Sequence, residues 1–224
     1  MKIDLHSHTK YSNCGRDEPE LLVKKMIENG VDILGITDHN YGIGARKREY
    51  FQHINWLKEK YADKIKIHCG IEICTLPLYP LDEKEDLSYF EYAIVEHLDL
   101  PDSFINGDIV GFSKRLKTRT GIAHTDLFTY VKNKGIDAYE FFKTLSENNI
   151  FWEMNVNYDS IHGYNEHQYV KEFVKNKEQQ EIIRATNMKI SVGFDGHRYE
   201  DYRADRVENM YNFLKENNID IFIP

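Results

Sequence analysis

Histidine and carboxylate side chains recur at short spacings in this 224-residue chain. His6 and His8 form an HxH pair. Residues two apart on an extended segment point to the same side, so both imidazoles can reach one ion. Asp195 and His197 repeat this spacing with a carboxylate in the first position. Imidazole together with carboxylate suits zinc, manganese or iron. The pattern therefore predicts a transition-metal centre.

Further candidate ligands follow short apolar runs: Thr37–Asn40, Gly70–Glu72, Glu96–His97 and His124–Asp126. Glu72 ends an apolar run, where a carboxylate is costly unless it is paired or bound to metal, and one carboxylate can bridge two ions. These candidates exceed the three or four ligands that one zinc takes, so we expect two or three divalent ions. Such a centre activates water for hydrolysis, especially of phosphate esters.

The elements that carry these residues alternate between strands and helices. The predicted strands are Lys2–His6, Asp32–Thr37, Ile65–Ile73, Tyr92–Glu96, Gly121–His124, Ile150–Asn155 and Lys189–Gly193. The predicted helices are Pro19–Gly30, Arg46–Tyr61, Ser103–Lys117, Ala138–Asn148, Glu166–Thr186 and Ala204–Asn217. This alternation predicts an α/β fold with a mostly parallel sheet, and about seven repeats favour a barrel. Active sites of such folds lie at the C-terminal ends of the strands.

Composition narrows the functional class. Lys and Arg number 29 against 37 Asp and Glu, a net charge of −8, which argues against a nonspecific nucleic-acid binder. Three cysteines imply no disulfide framework and favour a reducing cytoplasm. The start MKIDLHSH lacks the apolar core of a signal peptide, and no apolar stretch is long enough to span a membrane. The sequence contains no linker rich in Gly, Ser and Pro, so we expect one domain over residues 1–224. We expect a loop at Thr75–Asp86.

The motifs, in their order, resemble those of the PHP (polymerase and histidinol phosphatase) family. They are DLHSHTKYS (4–12), GITDHN (35–40), GIE (70–72), YAIVEH (92–97), GIAHTD (121–126) and GFDGH (193–197). The resemblance implies a distorted (β/α)7 TIM-like barrel, an α/β fold, with a trinuclear metal site at the C-terminal mouth of the strands. It also implies ligand sets: His6, His8, Glu72 and Asp195 for one ion; Glu72, His97 and His124 for a second; His39 and His197 for a third.

The chain departs from the family pattern after the HxH pair. Family members usually place an Asp or His there to complete the third set, whereas this chain reads Ser12-Asn13-Cys14-Gly15. Cys14 can supply a thiolate, which zinc accepts readily. Asn13 offers only a neutral oxygen, and Asp17 is a third possibility. The third site can also bind its ion weakly, so the sequence leaves open whether the protein binds two ions or three.

Other residues have possible supporting roles. We expect Asp38 to orient the His39 imidazole, and Asp38 or His197 to assist the leaving alkoxide. Arg16 and Arg198 are candidate phosphate contacts because guanidinium groups bind phosphate oxygens. Some residues could line the mouth: His162, His167, and Asn155 or Asn157.

The leading hypothesis is metal-dependent hydrolysis of a small phosphate monoester, either histidinol-phosphatase-like or acting on a nucleotide. A metal-dependent amidohydrolase is one alternative, although no strand-end Lys suits the bridging role that a carboxylated lysine often takes there. A metal-binding module without catalysis is another. The expected partner is a small phosphorylated substrate and not a membrane, and the acidic charge disfavours a nucleic acid as partner. The sequence does not indicate the oligomeric state.

Overall fold

The computed structural model describes residues 1–82 and 85–224. Its strands are β1 (Ile3–Asp4), β2 (Ile33–Ile36), β3 (Lys66–Cys74), β4 (Tyr92–Glu96), β5 (Arg119–Ile122), β6 (Phe151–Asn155) and β7 (Ile190–Gly193). All neighbours in the sheet are parallel and pair in chain order from β1 to β7. Leu5 N donates to Val192 O (2.8 Å) and Asp195 N to His6 O (2.7 Å), which joins the first strand to the last. The seven strands therefore form a nearly closed barrel, as expected.

Helices cover the outside of the barrel and follow every strand except β3 in the part of the chain that the structure describes. They are α1 (Pro19–Glu28), α2 (Asn40–Ile43), α3 (Lys47–Lys60), α4 (Ile109–Leu116), α5 (Leu127–Lys134), α6 (Ala138–Glu147), α7 (Gln168–Lys175), α8 (Lys177–Ala185) and α9 (Ala204–Glu216). None of the helices in the described parts of the chain is long and apolar enough to cross a membrane. The expected loop at Thr75–Asp86 contains no helix or strand where it is described, and residues 83 and 84 of it lie outside the described residues.

Side-chain caps explain where the predicted helices were wrong. The Asp108 carboxylate accepts a hydrogen bond from Gly111 N, so α4 begins at Ile109 and not at Ser103. The predicted helix Glu166–Thr186 is two helices, because Asn176 leaves the helical conformation and caps α8. Helix α5 was not predicted at all; Asp126 caps it.

The barrel interior is apolar at its N-terminal end. Ile3, Leu5, Tyr92 and Phe151 pack together there with Phe222 from the C-terminal segment, whose ring stacks on Phe151 at 3.7 Å. Burying each large apolar side chain contributes roughly 1.5–3 kcal/mol. These side chains fill the N-terminal end of the barrel. Polar side chains from the same strands are therefore confined to its C-terminal mouth.

Candidate metal centre

The backbone changes direction where several strands end. His97 follows β4 with φ 65°, His124 follows β5 with φ 22°, and Asp195 follows β7 with φ 57°. A positive φ is unfavourable for residues other than glycine, and such conformations persist at functional sites where the surrounding structure enforces them. Each of these three side chains takes part in the cluster described below.

Strand β1 ends at Asp4, two residues before the predicted end at His6. The buried Asp4 carboxylate accepts hydrogen bonds from His6 N (3.1 Å) and Phe194 N (2.9 Å). These bonds use backbone groups that a longer β1 ladder would require, and they tie the HxH segment to β7. Burial raises the pKa of Asp4 to about 6, against the opposing effect of these hydrogen bonds.

A first group of ligand atoms comes from the two HxH-like segments and β3. His6 Nε2 lies 3.1 Å from His8 Nε2, 3.3 Å from Glu72 Oε2 and 3.4 Å from Asp195 Oδ1. His8 Nε2 lies 3.2 Å from the same Glu72 oxygen and 3.1 Å from the same Asp195 oxygen. Tetrahedral ligands about 2.0–2.1 Å from one zinc are about 3.3 Å apart. The four atoms therefore have the spacing of one cation site.

A second group surrounds the other oxygen of Glu72. Glu72 Oε1 lies 3.2 Å from His124 Nε2. Glu96, a candidate ligand in the sequence that none of the three implied sets includes, places Oε2 3.0 Å from His97 Nε2 and 3.8 Å from His124 Nε2. The two oxygens of Glu72 thus face two different groups, as a bridging carboxylate requires.

A third group contains Cys14. Ligand atoms of His8, Cys14 and His197 all lie within 4.8 Å of one another, and the His197 and His39 imidazoles lower the pKa of the Cys14 thiol. Asp17 instead accepts a hydrogen bond from Tyr199 N (2.7 Å), and Asn13 is exposed. Of the three alternatives left open by the sequence, only Cys14 lies among the histidines.

Two buried atoms support the fit to cations. His39 Nδ1 and Glu72 Oε2 are 3.0 Å apart, yet neither makes a hydrogen bond with a described residue. Buried polar atoms without hydrogen bonds cost free energy. A divalent cation bound to them would remove this cost, so the residues present fit the metal that their types predict.

The ionisable groups of the cluster lie close together and shift one another's pKa values. Burial opposes charge on His6, but the carboxylates of Glu153, Asp195 and Glu72 outweigh it and raise the pKa of His6 well above its usual value. Burial likewise would raise the pKa of Cys14, but hydrogen bonds from His197 and His39 lower it to about 6. In the absence of metal, protons on imidazoles balance the negative charge.

Carboxylates outside the three groups orient the imidazoles. Glu153 Oε1 lies 2.7 Å from His6 Nδ1, and Asp159 Oδ2 lies 3.2 Å from His197 Nδ1. A carboxylate on Nδ1 keeps the proton there and leaves Nε2 free to bind an ion. The sequence analysis missed both roles. The polar segment 152–157 was a signal for Glu153, whereas nothing in the sequence connects Asp159 with His197.

The other polar residues expected at the mouth are indeed there. Asn155 Nδ2 donates to Asp195 Oδ2 (3.3 Å), and Asn157 Nδ2 donates to Asp195 O (3.0 Å), so both amides support the last strand end. His162 Nε2 approaches Asp195 Oδ2 at 3.8 Å. The His167 ring stacks parallel to His124 at 6.1 Å.

Asp38 does not occupy the place expected for it. Its carboxylate accepts hydrogen bonds from the backbone and hydroxyl groups of Thr9 and Ser12, at 2.7 to 3.0 Å, and the residue is fully buried. Ser12 Oγ in turn lies 3.1 Å from His8 Nδ1. Asp38 therefore positions His8 through Ser12. Its carboxylate makes no hydrogen bond with the His39 imidazole, and its expected part in assisting the leaving group stays a prediction.

The two arginines flank the His197 segment. Arg16 is exposed, and its backbone N donates to His197 O (3.0 Å). Arg198 is half-buried, and its buried Nε makes no hydrogen bond with a described residue. In the sequence, both arginines are therefore close to members of the third group, Cys14 and His197.

A nearly closed parallel barrel with histidines and carboxylates at its C-terminal mouth defines a class of metal-dependent barrel proteins. The PHP domain family matches residues 4–221, and the chain belongs to this family. The histidinol phosphate phosphatase of Lactococcus lactis, solved with zinc, L-histidinol and phosphate, has the same fold. Its TM-score is 0.62 at 16% identity, over 99% of this chain and 95% of that chain.

Similarity to curated relatives is confined to short segments. A histidinol-phosphatase of Lactococcus lactis is 32% identical over 78 residues, 32% of this chain and 29% of the relative. An uncharacterized protein of Methanocaldococcus jannaschii is 37% identical over 62 residues, 22% of this chain and 36% of the relative. The matches thus span about a third of the length of these relatives.

Proposed function

We propose that this protein is a metal-dependent phosphatase that hydrolyses a small phosphate monoester. The observation that carries the proposal is the first ligand group. Its two imidazole nitrogens and two carboxylate oxygens, from His6, His8, Glu72 and Asp195, lie 3.1 to 3.4 Å apart in the five pairs that include an imidazole nitrogen. Membership of the PHP domain family supports the same reaction class.

The proposed ligands form three sets of side chains. The first ion takes His6, His8, Glu72 and Asp195; the second takes Glu72, His97 and His124; the third takes Cys14, His39 and His197. When bound, divalent zinc, manganese or iron ions acidify water and neutralise negative charge on phosphate oxygens. The third set includes a thiolate, which favours zinc there.

The chain itself holds the reacting groups in place. Glu153 and Asp159 keep protons on Nδ1 of His6 and His197, so that Nε2 of each ring is directed to the centre. His197 Nε2 is 3.8 Å from Asp195 Oδ1. Because this nitrogen faces the ligand atoms, we assign His197 to the ligand set and not to proton transfer.

Arg16 and Arg198 are the proposed phosphate contacts. The buried Nε of Arg198 makes no hydrogen bond with a described residue, and this supports its assignment because a phosphate oxygen can accept from such a guanidinium N–H. The zinc, L-histidinol and phosphate in the Lactococcus lactis structure make histidinol phosphate one substrate to test. Nucleotide monophosphates are another.

The test measures inorganic phosphate release by protein stripped of metal and reloaded with zinc or manganese. The panel contains histidinol phosphate, nucleotide monophosphates and bisphosphates, phosphotyrosine and a chromogenic aryl phosphate. We expect release that requires metal and that falls by more than about a hundredfold in His8→Ala and Asp195→Ala, since metal ions contribute several kcal/mol to such reactions.

No release from any ester by protein with bound metal would overturn the proposal. Release of carboxylate or ammonia from amide substrates would then identify an amidohydrolase. Metal binding without any hydrolysis would identify a non-catalytic module.

A further inference from the structure

Glu96 is a buried carboxylate at the centre that none of the three ligand sets above includes. It is 5% exposed and ends β4, where Cys74↔Glu96 is the last pair in the β3–β4 register. Its Oε2 faces His97 Nε2 at 3.0 Å and His124 Nε2 at 3.8 Å. Its Oε1 faces His39 Nδ1 at 3.4 Å. Both oxygens are therefore directed toward proposed ligands.

Glu96 and Glu72 approach the same imidazoles. Glu72 lies 3.0 Å from His39 Nδ1 and 3.2 Å from His124 Nε2, and Glu96 lies 3.4 and 3.8 Å from those atoms. Two buried carboxylates so placed repel each other, and burying them is expensive unless a positive charge lies between them. A divalent cation supplies more of that charge than an imidazolium proton does.

The distances between these atoms also allow Glu96 to bind the same ion as the second group. Two ligands about 2.1 Å from one zinc can be at most about 4.2 Å apart. The measured separations around the second group, 3.0, 3.2 and 3.8 Å, all lie below this limit. The atoms concerned are Nε2 of His97, Nε2 of His124, Oε1 of Glu72 and Oε2 of Glu96.

We propose that Glu96 is a fourth side-chain ligand of the second ion, an inference that rests on the proposed metal-dependent function. The second position then has two imidazoles and two carboxylates, the same donors as the first. Zinc sites with four protein ligands hold their ion as structural sites do, whereas sites with three leave a position open. The second ion is accordingly held by a full set of side chains in this chain.

The alternative role for Glu96 is to orient His97 by accepting a hydrogen bond from its Nε2. Two substitutions separate the roles. Glu96→Gln keeps the shape and an oxygen that can accept this hydrogen bond, but it replaces the anionic ligand with a neutral amide. Glu96→Ala removes both functions. Glu91→Gln is the matched control, since it makes the same charge change just before β4 in a carboxylate bound to Lys58 and His68.

The experiment loads metal-stripped wild-type protein and the three variants with zinc and removes excess zinc by gel filtration. Zinc per chain is then measured by mass spectrometry, and affinity by competition with a chromophoric chelator. We expect Glu96→Gln to retain one ion fewer than wild type, or to bind it more than about tenfold more weakly, while Glu91→Gln matches wild type. Thermal unfolding in chelator verifies that each variant is folded.

Wild-type stoichiometry and affinity in Glu96→Gln would overturn the proposal, and a loss confined to Glu96→Ala would assign Glu96 to orienting His97. These outcomes are separate from the proposed function. Phosphate release by wild type with unchanged zinc in Glu96→Gln rejects only the role of Glu96. Loss of one ion in Glu96→Gln without any hydrolysis by wild type rejects only the phosphatase.

Discussion

Cys14 distinguishes the third ligand group from the other two at the scale of single residues. The first two groups contain imidazole nitrogen and carboxylate oxygen, whereas Cys14 adds a sulfur atom near His8 and His197. Its pKa of about 6, lowered by these two histidines against the effect of burial, makes the thiolate accessible near neutral pH. A sulfur ligand changes both the metal preference and the spectrum of this position.

The thiolate can be detected with cobalt(II) in place of zinc. We expect wild-type protein to show an intense thiolate-to-cobalt charge-transfer band in the near ultraviolet, because Cys14 supplies the sulfur ligand. Cys14→Asp should lose the band and keep the third ion, since a carboxylate is also a ligand. Absorption spectra and cobalt per chain provide the measurement.

Cys69 and Cys74 provide the control for that spectrum. Both are buried, and burial raises the pKa of Cys69 well above its usual value. A charge-transfer band that survives in Cys14→Ser would show that a different cysteine binds cobalt, and Cys74, beside Glu96 and His97, is the one to substitute next.

At the scale of elements, Glu91 joins α3 to the start of β3 and β4. Its carboxylate accepts hydrogen bonds from Lys58 Nζ (2.7 Å), His68 Nδ1 (2.9 Å) and Cys69 N (2.8 Å). Burial would raise the pKa of Glu91, but these bonds lower it to about 2 from a usual value of 4.5. The anionic form therefore stabilises the folded state above the unfolded pKa, and this contribution disappears as the pH falls from about 4.5 toward 2.

We expect Glu91→Gln to reduce the free energy of unfolding by about 1–3 kcal/mol at pH 7, the range for hydrogen bonds to a charged group. The difference from wild type should shrink between pH 5 and pH 3, because wild-type Glu91 loses its anionic contribution there. Urea unfolding of metal-free protein at several pH values measures this. Glu147→Gln, an exposed carboxylate with no ion pair among the described residues, should show no such trend. A constant difference at every pH would contradict the assignment.

At the scale of the whole molecule, the proposed metal centre joins the ends of β1, β2, β3, β4, β5 and β7. An ion that binds the folded state at 100 times its dissociation constant adds about 2.7 kcal/mol of stability. For a chain of this size, each kcal/mol raises the Tm by about 2–4 °C. We therefore expect zinc loading to raise the Tm by roughly 5–10 °C per ion, measured by differential scanning calorimetry.

This stabilisation should depend on pH. Burial lowers the pKa of His197, but Asp159 and Cys14 outweigh it and raise the pKa to about 10, so metal-free protein carries a proton that metal must displace. The rise in Tm at fixed zinc should therefore decrease from pH 8 to pH 6. The His8→Ala variant should lack the part of the Tm rise that the first ion contributes. An equal rise in wild type and His8→Ala would mean that zinc binds elsewhere.

The amino-acid sequence by itself determined the barrel, the strand order of the motifs and most of the cluster. Parallel strands all end on one side of a sheet, so ligand-type residues that follow successive strands converge whatever the details of packing. His6, His8, Glu72, His124 and Asp195 were placed at the mouth on that ground, and the structure brings them together.

Tertiary structure alone decided the contacts that depend on register and on distant segments. Glu153 reaches His6 from 147 positions away, and the β3–β4 register sets Glu96 beside the Glu72 group. Asp17 is kept apart from the histidines by a hydrogen bond from Tyr199 N, which lies 182 positions away in the chain. Periodicity indicates which face a side chain takes, but only the packed barrel determines which atoms approach within 3 to 4 Å.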